Sequence, residues 1–289
     1  MKKLLITLLI LFAFAGPCLA EVYSADDRVI GISKTYTVSG TESLIEVARR
    51  FDLGFNEIAA ANPALDPFAP GDGATAQIPV SWIVPAAAPK EGIVINLSEM
   101  RLYITFIADG SRLVATFPIG IGSEGTATPL GNFKVTDKVV SPTWYVPKSV
   151  KAEKPWLPAV VPPGPENPLG THAISLTLDS IFIHGTNKPW GIGRRVSHGC
   201  IRLYPEDIVK LFELTTRGKP VHIVREPVKI ALREERVYIE VHKDGMAKVD
   251  YIKTASDMLL RDGIIDRAST SKLYKAIAEK SGVPVDITN

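Results

Sequence analysis

A cysteine and two histidines lie close together in the second half of this chain. His184 ends an apolar run and is followed by Gly185, and one loop later the chain reads His198-Gly199-Cys200. A cysteine thiol is mostly protonated at neutral pH, but a neighbouring imidazole can take its proton and activate it as a nucleophile. These residues therefore predict nucleophilic catalysis by Cys200, with a histidine as its general base.

Either histidine satisfies the requirements for that base. His198 is two residues from Cys200, so both side chains would share one face of an extended segment. His184 belongs to a separate predicted strand, which can direct it at the sulfur independently, and the residues favour it slightly. Gly199 lets the backbone approach closely, and the N–H groups near Gly199 and Cys200 are predicted to donate to an oxyanion.

Zinc binding is the competing chemistry for the same residues. A catalytic zinc site uses three protein ligands, and His184, His198 and Cys200 together provide three. The sequence has no Cys-x-x-Cys pair, no His-Glu-x-x-His motif and no carboxylate ligand near these residues. We therefore expect the site to hold no metal and to need no cofactor.

Residues 1–20 have the pattern of a cleavable signal peptide. Lys2 and Lys3 precede an apolar run over residues 4–15, and the small Ala20 stands at the cleavage position. The apolar run is too short to span a bilayer, which needs roughly 20 residues. The pattern predicts a soluble periplasmic protein that begins after residue 20.

Cleavage would also change the thiol content and the charge. Of the two cysteines, Cys18 would be removed and Cys200 would remain, so no internal disulfide is expected. Loss of Lys2 and Lys3 reduces the 33 basic residues to 31, which equals the 31 acidic residues, so the formal net charge becomes zero with histidine neutral. With no basic stripe along the chain, we expect no nucleic acid partner.

The chain divides into regions of different pattern, which together predict an α+β protein that is mainly β. Residues 35–80 read as strand, helix, helix and strand, with a capping box between Ser43 and Glu46. Residues 81–90, rich in proline and alanine, are predicted to be a linker. Residues 91–225 are mostly short strands with one helix opened by Pro205, and residues 226–289 form an α/β extension.

Two further segments carry specific expectations. Residues 141–170 contain eight prolines, which predicts a loop without regular structure that forms a lid or wall of the substrate site. Trp144 in this loop is a candidate substrate contact; a plain surface loop is the alternative. In the C-terminal region, residues 237–241 and 248–252 read as strands and residues 271–280 as a helix.

The motif around the cysteine resembles the catalytic signature of YkuD-type L,D-transpeptidases. The matching residues are His184-Gly185 and, after a loop, Ser197-His198-Gly199-Cys200-Ile201-Arg202, with Thr128-Pro129-Leu130-Gly131-Asn132-Phe133 upstream. The resemblance implies a β-sandwich-like catalytic domain in which Cys200 is acylated by a peptidoglycan stem peptide and His184 is the base. It also implies that His198, Ser197 and Gly199 shape the oxyanion site. Arg202 and Gly185 are candidate substrate contacts.

Residues 35–80 resemble the LysM peptidoglycan-binding domain, on the strand and helix order and on Asn62-Pro63 and Pro70-Gly71. A LysM domain followed by this catalytic domain resembles the ErfK/YbiS-like subgroup. That resemblance implies glycan as a partner and favours the lysine of an outer-membrane lipoprotein as acyl acceptor. Direct crosslinking of two stem peptides, hydrolysis by water, and a non-enzymatic wall-binding protein are the alternatives.

Overall fold

The computed structural model describes residues 21–289. The predicted signal peptide, residues 1–20, lies outside the described residues. Within them, no helix combines the length and the apolar character needed to cross a membrane. The protein is a mixed α/β structure with a strand-rich curled sheet and few helices, as the α+β prediction expected.

The N-terminal region contains the predicted strand, helix, helix and strand. Its elements are β1 (Val22–Ser24), β2 (Val29–Gly31), β3 (Lys34–Thr37), α1 (Leu44–Arg50), α2 (Phe55–Ala61), β4 (Thr75–Ile78) and β5 (Ser81–Ile83). β3 and β4 pair antiparallel, and α1 and α2 lie between them in the chain. The predicted capping box is present, because Ser43 Oγ accepts the Glu46 N–H and Glu46 Oε2 accepts the Ser43 N–H.

The predicted linker 81–90 is wrong over its first residues. Ser81–Ile83 forms β5, which pairs antiparallel with β2. Trp82 is buried, and its indole N–H donates to Glu57 Oε1 over 2.9 Å. The prolines and alanines further along predicted a linker, whereas the apolar residues before them share a core with strands that follow. The N-terminal region is therefore packed onto the remainder of the chain.

A buried ion pair joins the N-terminal region to residues 91–225, the predicted catalytic region. The guanidinium of Arg101 donates to both carboxylate oxygens of Glu57, over 2.8 and 3.0 Å, and to the Asp52 carbonyl oxygen over 2.7 Å. The same guanidinium lies 4.1 Å from the ring centroid of Trp82. Arg101 has no exposed surface and Glu57 almost none. Each charge therefore depends on the other for its stability in the interior.

Arg101→Met is expected to lower the free energy of unfolding by about 3–5 kcal/mol, because it leaves the Glu57 carboxylate buried without its partner. Chemical denaturation of the two proteins measures the difference. Lys253→Met is the matched control, since it breaks an exposed ion pair with Asp257 on one helix. A loss for Arg101→Met no larger than that of the control would show that the Arg101–Glu57 pair does not stabilise the interface.

The catalytic region is dominated by one nine-stranded sheet. Its elements are β6 (Gly92–Asn96), β7 (Arg101–Ala108), β8 (Ser111–Pro118), β9 (Ile121–Gly122), β10 (Gly131–Val140), β11 (Trp144–Tyr145), α3 (Lys148–Glu153), β12 (Val160–Val161), β13 (His172–Leu176), β14 (Phe182–His184), β15 (Arg195–Ser197), β16 (Ile201–Arg202), α4 (Pro205–Leu214) and β17 (Pro220–Val224). The sheet order is β1-β8-β7-β6-β17-β10-β13-β14-β16, so the N-terminal β1 forms one edge and β16 the other.

The helix α4 supports the sheet near that second edge. Pro205 occupies its first turn, where a missing N–H costs nothing, and Glu206 and Asp207 lie at its positive end. Ile208 and Leu211 are fully buried in the same core as the sheet strands. The sequence predicted this helix, and its packing fixes the position of the strands that carry the candidate active site.

The prolines of segment 141–170 did not prevent regular structure. β11 and β12 pair antiparallel within it, and α3 lies between them in the chain. Asn167 is buried and holds the segment together, because its side-chain amide donates to the carbonyls of Pro142, Val161 and Pro162. The prediction of a structureless loop is therefore wrong, although the segment stays outside the large sheet.

The C-terminal region is an α/β unit, as predicted, with one helix that the sequence reading missed. Its elements are β18 (Val228–Arg233), β19 (Arg236–Val241), α5 (Tyr251–Arg261), α6 (Thr270–Glu279) and β20 (Val285–Asp286). The predicted strand at 248–252 is wrong, since α5 begins there. Asp250 caps this helix by accepting the Lys253 N–H. The alternating residues of the segment resembled a strand, and the capping signal was overlooked.

A buried charged cluster ties this C-terminal unit to the catalytic region. The ammonium of Lys229 lies 2.7 Å from Glu99 and 2.8 Å from Glu240, and His242 lies 2.6 Å from Glu240. Glu99, Glu240 and His242 are the one set in the described residues whose spacing would suit a metal ion. Because the Lys229 ammonium already contacts both carboxylates, the cluster is an internal ion-pair network.

Candidate active site

His184 is buried near one edge of the large sheet. It ends β14, which is paired antiparallel with β13 and parallel with β16, so that His184 lies opposite Ala173 on one side and Arg202 on the other. The side chain is 3% exposed. A histidine held on both sides by strands has a fixed ring orientation, which is what a general base requires.

The hydrogen bonding of His184 determines which nitrogen is basic. Nδ1 lies 2.6 Å from the carbonyl oxygen of Gly185, which can only accept, so we assign the proton to Nδ1. The lone pair is then on Nε2. The pKa of His184 is lowered to about 4, chiefly by burial and then by the positive charge of Arg202, while the carbonyls of Gly185 and Leu169 act in the opposite direction. His184 is therefore neutral near pH 7.

Cys200 lies beside the same strand. The parallel register pairs Ile183 with Ile201, which places Cys200 level with Phe182 and on the same face of the sheet as His184. Its side chain is half-buried, and Sγ lies 3.6 Å from the carbonyl oxygen of Ser180. Among the described residues it is the one free cysteine.

The resting state that these surroundings favour is a neutral pair. Burial raises the pKa of the Cys200 thiol, and this outweighs the opposite effects of the Phe182 backbone N–H and the Arg202 charge. The pKa of His184 is lowered at the same time. A thiolate–imidazolium ion pair, expected from the residue types alone, is therefore disfavoured in the free protein. The proton would leave the thiol as the sulfur attacks.

We call residues 197–200 the nucleophile turn. Ser197 is buried, and its hydroxyl donates to the Cys200 carbonyl over 2.6 Å and accepts the Gly199 N–H over 3.2 Å. Gly199 has φ +103°, and a Cβ there would lie 2.8 Å from Cδ1 of Ile181. Glycine is thus required for both conformation and space. The prediction that the Gly199 N–H donates to an oxyanion is corrected, because Ser197 already accepts it.

His198 contacts the segment 141–170. Its Nε2 lies 3.0 Å from Oε2 of Glu153, at the end of α3. The positive φ of Gly199 interrupts the extended backbone that would have placed His198 and Cys200 on one face. The His198 ring is therefore a contact between the nucleophile turn and the segment 141–170, whereas His184 shares a face with Cys200.

Arg202 supplies positive charge next to both candidate catalytic residues. Its charge lowers the pKa of His184 and that of Cys200. The Nε of Arg202 is buried and has no hydrogen-bond partner among the described residues. A guanidinium with an unused donor favours a carboxylate or carbonyl oxygen as its partner. The sequence prediction that Arg202 contacts substrate agrees with this position but is not tested by it.

The segment 141–170 meets the site at two places. At one, Glu153 contacts His198. At the other, Gly170 packs so closely on Gly185 that a Cβ on Gly170 would lie 3.0 Å from the Gly185 backbone. Trp144 lies on β11, which pairs with β12, and is half-buried. Its role as a substrate contact stays a prediction.

Gly185 orients the histidine through its backbone. Its carbonyl accepts the His184 proton, and its own N–H donates to the His172 carbonyl over 3.2 Å. The role of Gly185 as a substrate contact stays a prediction. The sequence reading missed this orienting role because it depends on backbone direction, which residue type does not reveal.

A thiol and a buried imidazole on one edge of a strand-rich sheet are the groups that enzymes with a cysteine nucleophile use. Comparison with known proteins gives the family. Residues 90–223 match the YkuD model, described as the L,D-transpeptidase catalytic domain. The probable L,D-transpeptidase YcfS of Escherichia coli is 36% identical over 95% of this chain and 91% of its own length. The probable L,D-transpeptidase YbiS of the same organism is 42% identical over 74% of this chain and 72% of its own.

Solved structures include the catalytic domain of the Enterococcus faecium L,D-transpeptidase, which is 23% identical and covers 47% of this chain and 98% of that one, with a TM-score of 0.35. The family model and the two relatives from Escherichia coli are sufficient for assignment. The chain belongs to the L,D-transpeptidase family, and it is an enzyme.

Proposed function

We propose that this enzyme acylates itself on Cys200 with a peptidoglycan stem peptide, using His184 as general base. The observation that carries the proposal is the parallel pairing of β14 with β16. That pairing brings the thiol and a buried histidine, whose lone pair we assign to Nε2, to one face of the sheet. The L,D-transpeptidase relatives supply the substrate class.

The acylation step follows from this geometry. Nε2 of His184 takes the Cys200 proton while the sulfur attacks the carbonyl carbon of the amide between an L-centre and a D-residue. The tetrahedral intermediate collapses, the C–N bond breaks, and the leaving amine of the terminal D-residue takes the proton from the imidazolium. A thioester on Cys200 remains. The Cys200 N–H is the proposed oxyanion donor, and Arg202 is the proposed contact for a substrate carboxylate.

An intact-mass measurement tests this step. Purified protein is incubated with a carbapenem, a β-lactam whose ring opening mimics acylation, and with a stem tetrapeptide. The expected result is one covalent adduct per chain, mapped to Cys200 by peptide sequencing, and release of the terminal D-residue from the tetrapeptide. A wall-binding protein without catalytic activity would give neither adduct nor released amino acid.

The acyl acceptor proposed is a lipoprotein lysine, on the resemblance of the whole chain to the ErfK/YbiS-like subgroup. The lysine amine would attack the thioester carbonyl, form an amide and release the thiol. A competition assay distinguishes the acceptors: tetrapeptide donor is mixed with a lysine-containing peptide and with a second stem peptide. Products joined through the lysine side chain support the proposal, while stem-to-stem dimers or hydrolysed tripeptide would contradict it.

We propose that the region 35–80 binds glycan, as its LysM-like order of elements suggests. An open polar cleft of about 560 Å³ on this region is lined by Tyr36, Ser39, Thr41, Glu42, Glu46 and Arg50. Hydroxyl, carboxylate and guanidinium groups of this kind suit the polar surface of a sugar chain. Because the region shares a core with the catalytic strands, deleting it would not be a clean test.

Thr41→Trp is expected to weaken binding to purified sacculi several-fold, since a bulky side chain at this exposed position fills the cleft. Co-sedimentation of protein with sacculi measures the bound fraction. Thr75→Trp, at an exposed position of β4, is the matched control and should bind as the wild type does. Equal binding of both variants and the wild type would place the glycan contact elsewhere or remove it.

We also propose that residues 1–20 direct export to the periplasm and are removed. N-terminal sequencing of the protein recovered from a periplasmic extract should begin at Glu21. A protein that retains Met1 in the cytoplasmic fraction would refute this.

A further inference from the structure

The nucleophile turn is held from one side by the segment 122–128. The Ser197 carbonyl accepts three hydrogen bonds, from the Ser123 N–H over 2.8 Å and from the Ser123 and Thr126 hydroxyls over 3.1 Å each. The Gly199 carbonyl accepts the Thr128 hydroxyl over 2.8 Å. Two alternate carbonyls of the turn therefore point at the same neighbouring segment.

The direction of these carbonyls fixes the direction of two N–H groups. In a planar trans peptide the C=O and the following N–H point in opposite directions. Because the carbonyls of Ser197 and Gly199 point at segment 122–128, the N–H groups of His198 and Cys200 point away from it. Neither N–H has an acceptor among the described residues. The Gly199 N–H between them is bonded to Ser197 Oγ.

Thr128 is committed to this task. It is buried, with 3% of its surface exposed, and its Oγ1 accepts the Gly122 N–H over 3.1 Å. A hydroxyl has one proton to donate, and that of Thr128 goes to Gly199. The hydroxyl therefore links two backbone segments, and an apolar side chain of the same shape would leave both the Gly199 carbonyl and the Gly122 N–H unpaired.

We propose that the hydroxyls of Ser123, Thr126 and Thr128 are positioning groups for acyl transfer: they aim the N–H groups of His198 and Cys200 at the oxyanion of the tetrahedral intermediate. The inference rests on the proposed nucleophilic role of Cys200. None of the three hydroxyls touches the thiol or takes part in proton transfer. Their effect is confined to the step in which negative charge develops on the substrate oxygen.

Two reactions of the Cys200 thiol distinguish a loss of oxyanion positioning from a general disturbance of the site. Alkylation by iodoacetamide forms an S–C bond and releases iodide without creating an oxyanion. Acylation by a carbapenem passes through a tetrahedral oxyanion. Both rates are measured by intact mass on wild type, Thr128→Val and Thr128→Ser, with thermal melting of each protein. Thr128→Val should lower the acylation rate roughly 10- to 100-fold, with the alkylation rate within about twofold of wild type. Thr128→Ser should restore acylation.

Ser123 and Thr126, which are both half-buried, provide a second test that does not depend on the folding of Thr128→Val. The double variant Ser123→Ala, Thr126→Val removes two of the three donors to the Ser197 carbonyl and should show a smaller loss, again confined to acylation. Equal loss of alkylation and acylation in either variant, or no loss of acylation in both, overturns the positioning role. Wild-type protein that is alkylated but never acylated would instead refute the proposed function.

Discussion

Cys200→Ala is expected to lower the rate of acyl transfer by roughly three orders of magnitude or more, with little change in melting temperature. The loss is large because no other thiol is present in residues 21–289 to replace it. The fold should survive because the nucleophile turn is held by hydrogen bonds of Ser197 and Thr128, whereas the 3.6 Å contact of the sulfur with the Ser180 carbonyl is weak.

The measurement is release of the terminal D-residue from a stem tetrapeptide, followed by mass spectrometry. Cys200→Ser is the conservative partner and should be equally impaired in turnover, because a hydroxyl is a much weaker nucleophile than a thiol when its base is a neutral imidazole. Turnover by Cys200→Ala at a rate near that of the wild type would refute the cysteine mechanism.

The sequence was most informative where local patterns decide structure. Alternating apolar residues predicted the strands of the large sheet, the Ser43–Glu46 pair predicted the start of α1, and Pro205 predicted the start of α4. Each of these signals acts over a few residues, so it can be read without knowing the fold. The same reasoning failed at residues 248–252, where Asp250 began a helix within an alternating pattern.

The contacts that join distant segments could not be predicted in this way. Arg101 and Glu57 are 44 positions apart, and His198 and Glu153 are 45 apart. Nothing in the residue types distinguishes these partners from many other pairs of opposite charge. The sequence therefore identified Cys200 and both histidines as candidates, but the direction of His198 followed only from the packing of α3 against the turn.

The direction of backbone N–H groups was the second feature that the sequence could not predict. Donation by the Gly199 N–H to an oxyanion was a reasonable prediction for a glycine beside a nucleophile. The positive φ of Gly199 and the position of Ser197 Oγ make that N–H internal to the turn. Thr128 belongs to the segment that resembles the family motif. The role of its hydroxyl depends on its hydrogen bond to the Gly199 carbonyl, which the sequence does not reveal.

His184→Ala is expected to lower carbapenem acylation of Cys200 by roughly 10²- to 10⁴-fold, the range typical of a lost general base. His198→Ala is the matched control. Its ring contacts Glu153, so its loss should loosen segment 141–170 and reduce the rate much less. If His198→Ala is the more impaired of the two, the base has been assigned to the wrong histidine.

The pH dependence of the wild type gives an independent check of the same assignment. The pKa of His184 is lowered to about 4, so its basic form is already present well below pH 6.5, the ordinary value for histidine. The acid limb of the acylation rate should therefore be centred near pH 4, and the rate should not fall through the ordinary histidine range. His184→Ala should lack this limb, while His198→Ala should retain it. A wild-type limb centred near pH 6.5 would contradict the assignment of the base to His184, whose side chain is 3% exposed.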